Sequence, residues 1–152
     1  MDLILWRHCE AAPGYPDHDR TLTAAGAQQA ARMAAWLKAV LPAERKIMAS
    51  PALRAQQTAG ALSTSFETNA AVGTAAVPDG ILEMVGWPYG EQTVVVVGHQ
   101  PTLGATAALA LTGRPGLFAI PAGGVWWMSR RENSRETLLR AVMTSELTPP
   151  LA

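Results

Sequence analysis

Short apolar runs alternate with amphipathic stretches along the chain. Leu3–Trp6 is unbroken apolar sequence, predicting a short buried strand, and it leads directly into Arg7, His8, Cys9 and Glu10. Residues 9–21 contain Pro13, Gly14, Pro16, Asp17, His18 and Asp19, which is loop chemistry. From Thr23, whose hydroxyl can cap a helix, Ala30, Met33, Ala34, Leu37 and Leu41 recur at helical spacing until Pro42. KIMAS, residues 46–50, predicts a second strand; in the helix that follows, Ser50 reads as the N-cap and Pro51 as the first helical residue. TVVVVG at 93–98 is β-branched and lacks alternation, as expected of a strand buried on both faces. Pro101 opens a helix to about Leu111, stopped by Gly113. Beyond Pro115, GLFAIP predicts a strand, and GVWWMSR, RENS and ETLLRAVM predict a hairpin with Trp126 and Trp127 on opposite faces. Residues 66–92 show no readable element, with Glu83 isolated in ILEMVGW, and the tail TSELTPPLA predicts fraying.

Alternating strands and helices argue for an α/β protein, a three-layer sandwich with a mostly parallel central sheet and helices on both faces. With neither a repeat nor a linker, residues 1–152 are expected to form a single domain.

Composition narrows the function. Hydrophobic residues make up 49% and charged residues 16%, which fits a compact globular chain. Twelve basic and 12 acidic residues cancel, so no global field favours nucleic acid, and any anion must be held by a few placed groups. The single cysteine excludes an internal disulfide. Leu3–Trp6 is too short for a secretory signal, and no apolar run reaches the roughly 20 residues of a membrane span. The expectation is a soluble cytoplasmic protein with neither nucleic-acid nor membrane partners.

In parallel sheets, chemistry gathers at the carboxyl ends of the strands. Arg7–His8 follow the first strand, Ser50–Pro51 and Arg54 the second, and Gly98–His99 the third. Alone, Arg54 reads equally as a solvated helix residue and His99 as an ordinary loop histidine; together they would place two arginines and two histidines in one pocket. A cation near a helix N-terminus opposes the dipole, so Arg54 is better explained by a bound anion. Two guanidiniums can clamp phosphate oxygens, a protonated second histidine can add another donor, and the helix amino ends after Ser50 and His99 can add N–H groups. A neutral imidazole can attack phosphorus, with positioned charge serving where other enzymes use a metal. Cys9 as a phosphatase nucleophile would need arginine at the sixth position after it, where Tyr15 stands. A zinc site from His8, His99 and Glu10 or Asp17 lacks ligand spacing, and no nucleotide-binding loop is present.

With these motifs the chain resembles the histidine phosphatase superfamily, the phosphoglycerate-mutase-like family, and within it the small SixA-type phosphohistidine phosphatases. The matching segments are LILWRHCEA at 3–11, RTLTAAGAQQAARMAAWL at 20–37, IMASPALRAQQTA at 47–59 and VVVVGHQPTLG at 95–104. The resemblance implies a mixed sheet, His8 as the phosphorylated nucleophile, Arg7 and Arg54 as phosphate ligands, and His99 completing the pocket. No metal or cofactor is implied. Two departures stand out. Cys9 replaces the usual glycine and reads as packing beneath the nucleophile, and the segment from Glu83 to Thr93 is too short for the helix that relatives carry there. WPYGEQ would then leave one side of the pocket open, suiting a protein-borne substrate. Gln100 follows His99, so an acid-phosphatase-like His-Asp pair is absent. Glu83 remains as a possible general acid or a solvated loop glutamate, with Glu10 less well placed. Imidazole, with a pKa near 6.5, leaves more readily than alkoxide and needs little acid assistance. The expectation is a metal-independent phosphatase acting on phosphohistidine of a phosphorylated protein substrate. The alternatives are a phosphatase or mutase for small phosphate esters, favoured by an effective acid at Glu83, and a phosphate-binding module with little turnover. Oligomeric state is left open.

Overall fold

The computed structural model describes residues 1–152. Strands β1 (Asp2–Arg7), β2 (Lys46–Ala49), β3 (Glu67–Thr68), β4 (Thr93–Gly98), β5 (Val125–Arg130) and β6 (Thr137–Met143) form one sheet in the order β3-β2-β4-β1-β5-β6. The first four strands in that order run parallel, and β5 and β6 join antiparallel. Helices α1 (Ala24–Val40) and α2 (Leu53–Leu62) pack together, as do α3 (Pro78–Val85) and α4 (Thr102–Thr112). The result is an α/β three-layer sandwich around a mixed sheet.

Strand alternation sorts the core into two layers. Ile4, Trp6, Ile47, Val95, Val97 and Trp127 join Met33 and Leu37 of α1 and Ala55 and Ala59 of α2 in one layer. Leu3, Leu5, Met48, Val94, Val96 and Met128 join Ile81 of α3 and Leu103 and Ala107 of α4 in the other. Trp126 and Trp127 do face opposite sides, Trp126 stacking on Phe118 and Trp127 lying under Arg140. No helix is long and apolar enough to cross a membrane.

Several local expectations require correction. Residues 78–85 are helical, with Pro78 and Asp79 in the first turn and Gly86 left-handed at the C-cap (φ 74°). Pro at a helix start and glycine past its end are recognised stop and start signals, hidden here by an alanine- and glycine-rich approach. The residues Trp87–Gln92 lead into the amino end of β4, where Gln92 accepts a hydrogen bond from the Asp2 N–H. The short WPYGEQ segment therefore lies at the opposite end of the sheet from His99 and cannot open a pocket there. Residues 116–121 form no strand: the Phe118 and Ile120 carbonyls accept instead from the side chains of Gln100 and Arg7. The tail is docked as far as Thr148, which is buried and accepts from Arg32 Nη2 at 2.7 Å.

Candidate active site

The carboxyl ends of three adjacent strands, β2, β4 and β1, bring the four residues together. β4 lies in the middle and ends on Gly98; its register with Arg7 on one side and Ala49–Val97 on the other places His99 between His8 and Ser50. The His8 N–H donates to the Gly98 carbonyl at 2.9 Å, and the Ser50 N–H donates to the Val97 carbonyl at 3.0 Å, locking both loop entries to β4. Arg54, in the first turn of α2, is buried although charged, with 5% exposure. The rings of His8 and His99 lie 5.2 Å apart. Arg7, His8, Arg54 and His99 line one cavity of about 290 Å³, together with Arg20, Thr74 and Thr102.

The hydrogen bonds of His8 determine its tautomer. Nδ1 lies 2.8 Å from the Cys9 carbonyl, which can only accept, so Nδ1 carries the hydrogen. Nε2 is left with its lone pair and receives the Arg54 Nε–H at 3.3 Å. Burial, with the nearby Arg54, Arg7 and Arg20 cations adding to it, lowers the His8 pKa to about 4 against the opposing Cys9 hydrogen bond. His99 is likewise lowered to about 4, mainly by burial and then by His8 and Arg54. Both rings are neutral at pH 7, and Nε2 of His8 carries a lone pair on the cavity side, beside Arg54.

The cations have spare donors. Arg7 Nη1 donates to the Ile120 carbonyl at 2.8 Å, while its Nε is buried with no partner. A buried unpaired guanidinium N–H is costly, and an oxyanion would relieve it. Arg54 donates from Nη1 to the Asp17 carbonyl (2.9 Å) and from Nη2 to the Asp17 carboxylate (3.1 Å), retaining one further N–H on each nitrogen. Asp17 also pairs with Arg20 Nη1 at 3.1 Å, and Arg20, then Arg54, hold its carboxyl below the ordinary range. No three His, Cys, Asp or Glu side chains cluster so as to hold a metal ion.

The remaining candidates lie elsewhere. Cys9 is fully buried, burial pushes its thiol up to about 12, and its N–H donates to Thr58 Oγ1, whose hydroxyl donates to the Arg54 carbonyl. Cys9 is thus core, tied to α2. Glu10 accepts from Thr23 Oγ1 at 2.7 Å, and its backbone meets α1 so closely that a Cβ on Gly26 would lie 2.0 Å from the Glu10 carbonyl oxygen. Glu83 is exposed on α3, outside the cavity lining. α3 follows the cavity residue Thr74 and runs towards Met1, so Glu83 sits in the turn leading away from His8.

The helix ends also differ from expectation. Ser50 is not an N-cap: α2 starts at Leu53, and Ser50 Oγ accepts from the Ala52 N–H while contacting His99. At α4, the Leu103 and Gly104 N–H groups are already taken by the His99 carbonyl and Gln100 Oε1, so neither is free for an anion.

A family model described as "Histidine phosphatase superfamily (branch 1)" matches residues 3–74, which carry β1, Arg7, His8 and Arg54. An uncharacterised protein of Mycobacterium tuberculosis is 36% identical over 112 residues, 69% of this chain and 67% of its own. The chain belongs to the histidine phosphatase superfamily. A structure of the protein histidine phosphatase SixA complexed with tungstate superposes with a TM-score of 0.81 at 23% identity, covering 95% of this chain and 97% of the other. A structure from Nakamurella multipartita, assigned as a SixA phosphohistidine phosphatase, gives 0.73 at 26% identity, covering 99% and 96%. The first of these structures shares the fold, and membership of the superfamily together with the second supports a phosphatase.

Within this histidine phosphatase fold, sequence reasoning missed Arg20 and Thr74, and weighed Asp17 only as a zinc ligand and not as the partner of Arg54 and Arg20. The signal for two of them was present: Asp17 and Arg20 stand three apart in a proline-bounded loop, a spacing that brings their side chains together. Thr74 had no local signal.

Proposed function

We propose that the protein is a phosphatase that carries the phosphoryl group on His8 and needs no metal, and that its substrate is phosphohistidine on a protein. The observation that carries the mechanism is the Cys9 carbonyl 2.8 Å from His8 Nδ1, which leaves the Nε2 lone pair in the cavity beside Arg54. Nε2 attacks phosphorus and the phosphorus–nitrogen bond to the substrate imidazole breaks. The departing imidazole leaves neutral, its second ring nitrogen having been protonated by solvent beforehand. Water then attacks the phosphohistidine, the His8–phosphorus bond breaks, and orthophosphate leaves. Arg7, Arg54 and the donor on His99 hold the oxygens through both steps, supplying fixed positive charge where the transition state spreads its negative charge.

Two features support the substrate class. The cavity lining includes no carboxylate and no hydrophobic side chain. Such a lining recognises the phosphoryl group itself and offers no apolar wall for the rest of a small metabolite. A good leaving group also fits a site without an acid. The test compares turnover of a histidine-phosphorylated protein with turnover of phosphoserine and aryl phosphates under one set of conditions. The proposal expects kcat/KM for phosphohistidine to be at least a hundredfold higher; equal or reversed preference would return small esters to the front.

A further inference from the structure

We propose that Ser50 is a positioning residue whose buried hydroxyl donates to His99 Nε2, fixing His99 as the neutral tautomer with its hydrogen on Nδ1. The tautomer itself follows from the geometry; its use, donation to a phosphoryl oxygen, rests on the function proposed above. Ser50 is 0% exposed at the end of β2, and its Oγ lies 2.7 Å from His99 Nε2. The Ala52 N–H donates to the same oxygen at 3.1 Å, occupying one of its lone pairs and fixing its position.

Counting hydrogens decides the direction of the Ser50–His99 bond. If Ser50 donates, its hydroxyl is fully used: it accepts from Ala52 and donates to Nε2. If Nε2–H donated instead, the serine hydrogen would have no acceptor in a fully buried place, since the structure shows no other partner for Oγ. Nδ1 would then offer a lone pair to the cavity, where a phosphoryl oxygen would meet lone pair against lone pair. Both consequences cost free energy, and the first arrangement avoids both. Nδ1 makes no hydrogen bond within the protein, so it is the ring nitrogen left for a ligand.

The surroundings explain why tautomer control is needed. Burial first, then His8 just past β1, Arg54 from α2 and Arg7 from β1 disfavour a second proton on His99, with Asp17 opposing them. A cationic ring is therefore not available in the empty site, and a neutral ring donates only from the nitrogen that carries the hydrogen. Ser50 places that hydrogen on the ligand side. The same contact explains why a serine with the sequence context of a helix N-cap stands outside α2: its oxygen is committed to His99 and Ala52.

The test reads the tautomer directly, by ¹⁵N–¹H NMR of the histidine-labelled free protein at neutral pH, with His18→Gln and His8→Gln used for assignment. The wild type is expected to show protonated Nδ1 and unprotonated Nε2 on His99; the reverse pattern overturns the proposal, whether or not the protein turns over any substrate. In Ser50→Ala the His99 signals are expected to move to a tautomer mixture, with affinity for inorganic phosphate about tenfold weaker. Ser50→Thr is expected to restore both. A Ser50→Ala protein with unchanged tautomer and unchanged phosphate affinity overturns the role of Ser50, and if that variant does not fold, the wild-type and Ser50→Thr spectra decide alone. Absence of turnover in the wild type, with the expected tautomer present, would count against the phosphatase mechanism and leave the positioning contact standing.

Discussion

The two ends of the sheet carry similar residue types and different chemistry. At the amino end, Glu44, Arg45, Lys46 and Glu91 line a cavity of about 600 Å³, twice the volume of the one around His8. There both signs mix, Lys46 pairs with Glu67 at 3.2 Å with both side chains nearly half exposed, and Arg45 donates to the Pro42 carbonyl. At the carboxyl end, three arginines and two histidines line the smaller cavity, no carboxylate lines it, and Arg54 is buried. Cavity size therefore favours the end with the mixed, exposed charges. What distinguishes the carboxyl end is buried positive charge with unspent donors, and fields are strong where water is excluded.

Substitutions at the two ends should separate by orders of magnitude. The largest effect is expected for His8→Ala, which removes the nitrogen proposed to attack phosphorus and should lower turnover by at least a thousandfold in a single-turnover assay. Arg54→Ala comes next, with a loss of a hundredfold or more in kcat/KM, as for removal of one donor to a developing oxyanion. Lys46→Ala, which breaks an exposed pair at the other end, should change kcat/KM by less than twofold. A large effect at Lys46, or a small one at Arg54, would break the comparison.

The pH dependence sharpens it. Burial and neighbouring arginines hold His8 down to about 4, so the neutral nucleophile persists well below the ordinary imidazole pKa of about 6.5. The acid limb of kcat/KM should fall near pH 4, measured in a three-component buffer series. Stability follows from the same shift. His8 and His99 stay neutral in the folded protein while both titrate near 6.5 when unfolded, so the unfolded state binds more protons between about pH 4 and 6.5. Stability is complete above that window and falls as pH drops through it. Thermal melts should show this slope in Lys46→Ala and a shallower one in His99→Gln.

The smallest effect is expected at Glu83. It lies on the exposed face of α3 in the turn leading away from the cavity, so Glu83→Gln should alter phosphohistidine turnover by less than twofold. A general acid would cost a hundredfold or more.

How much of this was legible depended on whether the cause was local. The β-branched run of β4, the Thr23 cap of α1 and the Arg7–His8 pair after β1 are short-range signals, and each led to the right element or the right end of a strand. GLFAIP reads as a strand because nothing local reveals that its carbonyls will be used by Arg7 and Gln100, far away in sequence. Ser50 reads as a cap because its true partner, His99, is 49 residues distant. Glu83 stayed open between a general acid and a solvated glutamate for a related reason: nothing local gives the direction of α3, on which it is exposed and outside the cavity lining. Cys9 shows the opposite case, since the missing arginine after it already argued against a nucleophile and its burial agrees.

The central claim is that the phosphoryl group passes through His8. It is tested most directly by mixing the enzyme with a ³²P-labelled histidine-phosphorylated protein, quenching in alkali on the millisecond scale, and mapping the label by peptide mass spectrometry. The account predicts label on His8 that forms before orthophosphate, decays at a rate matching turnover, and is absent from His8→Ala. Full turnover with no label on His8, or orthophosphate release sustained in His8→Ala, would contradict it.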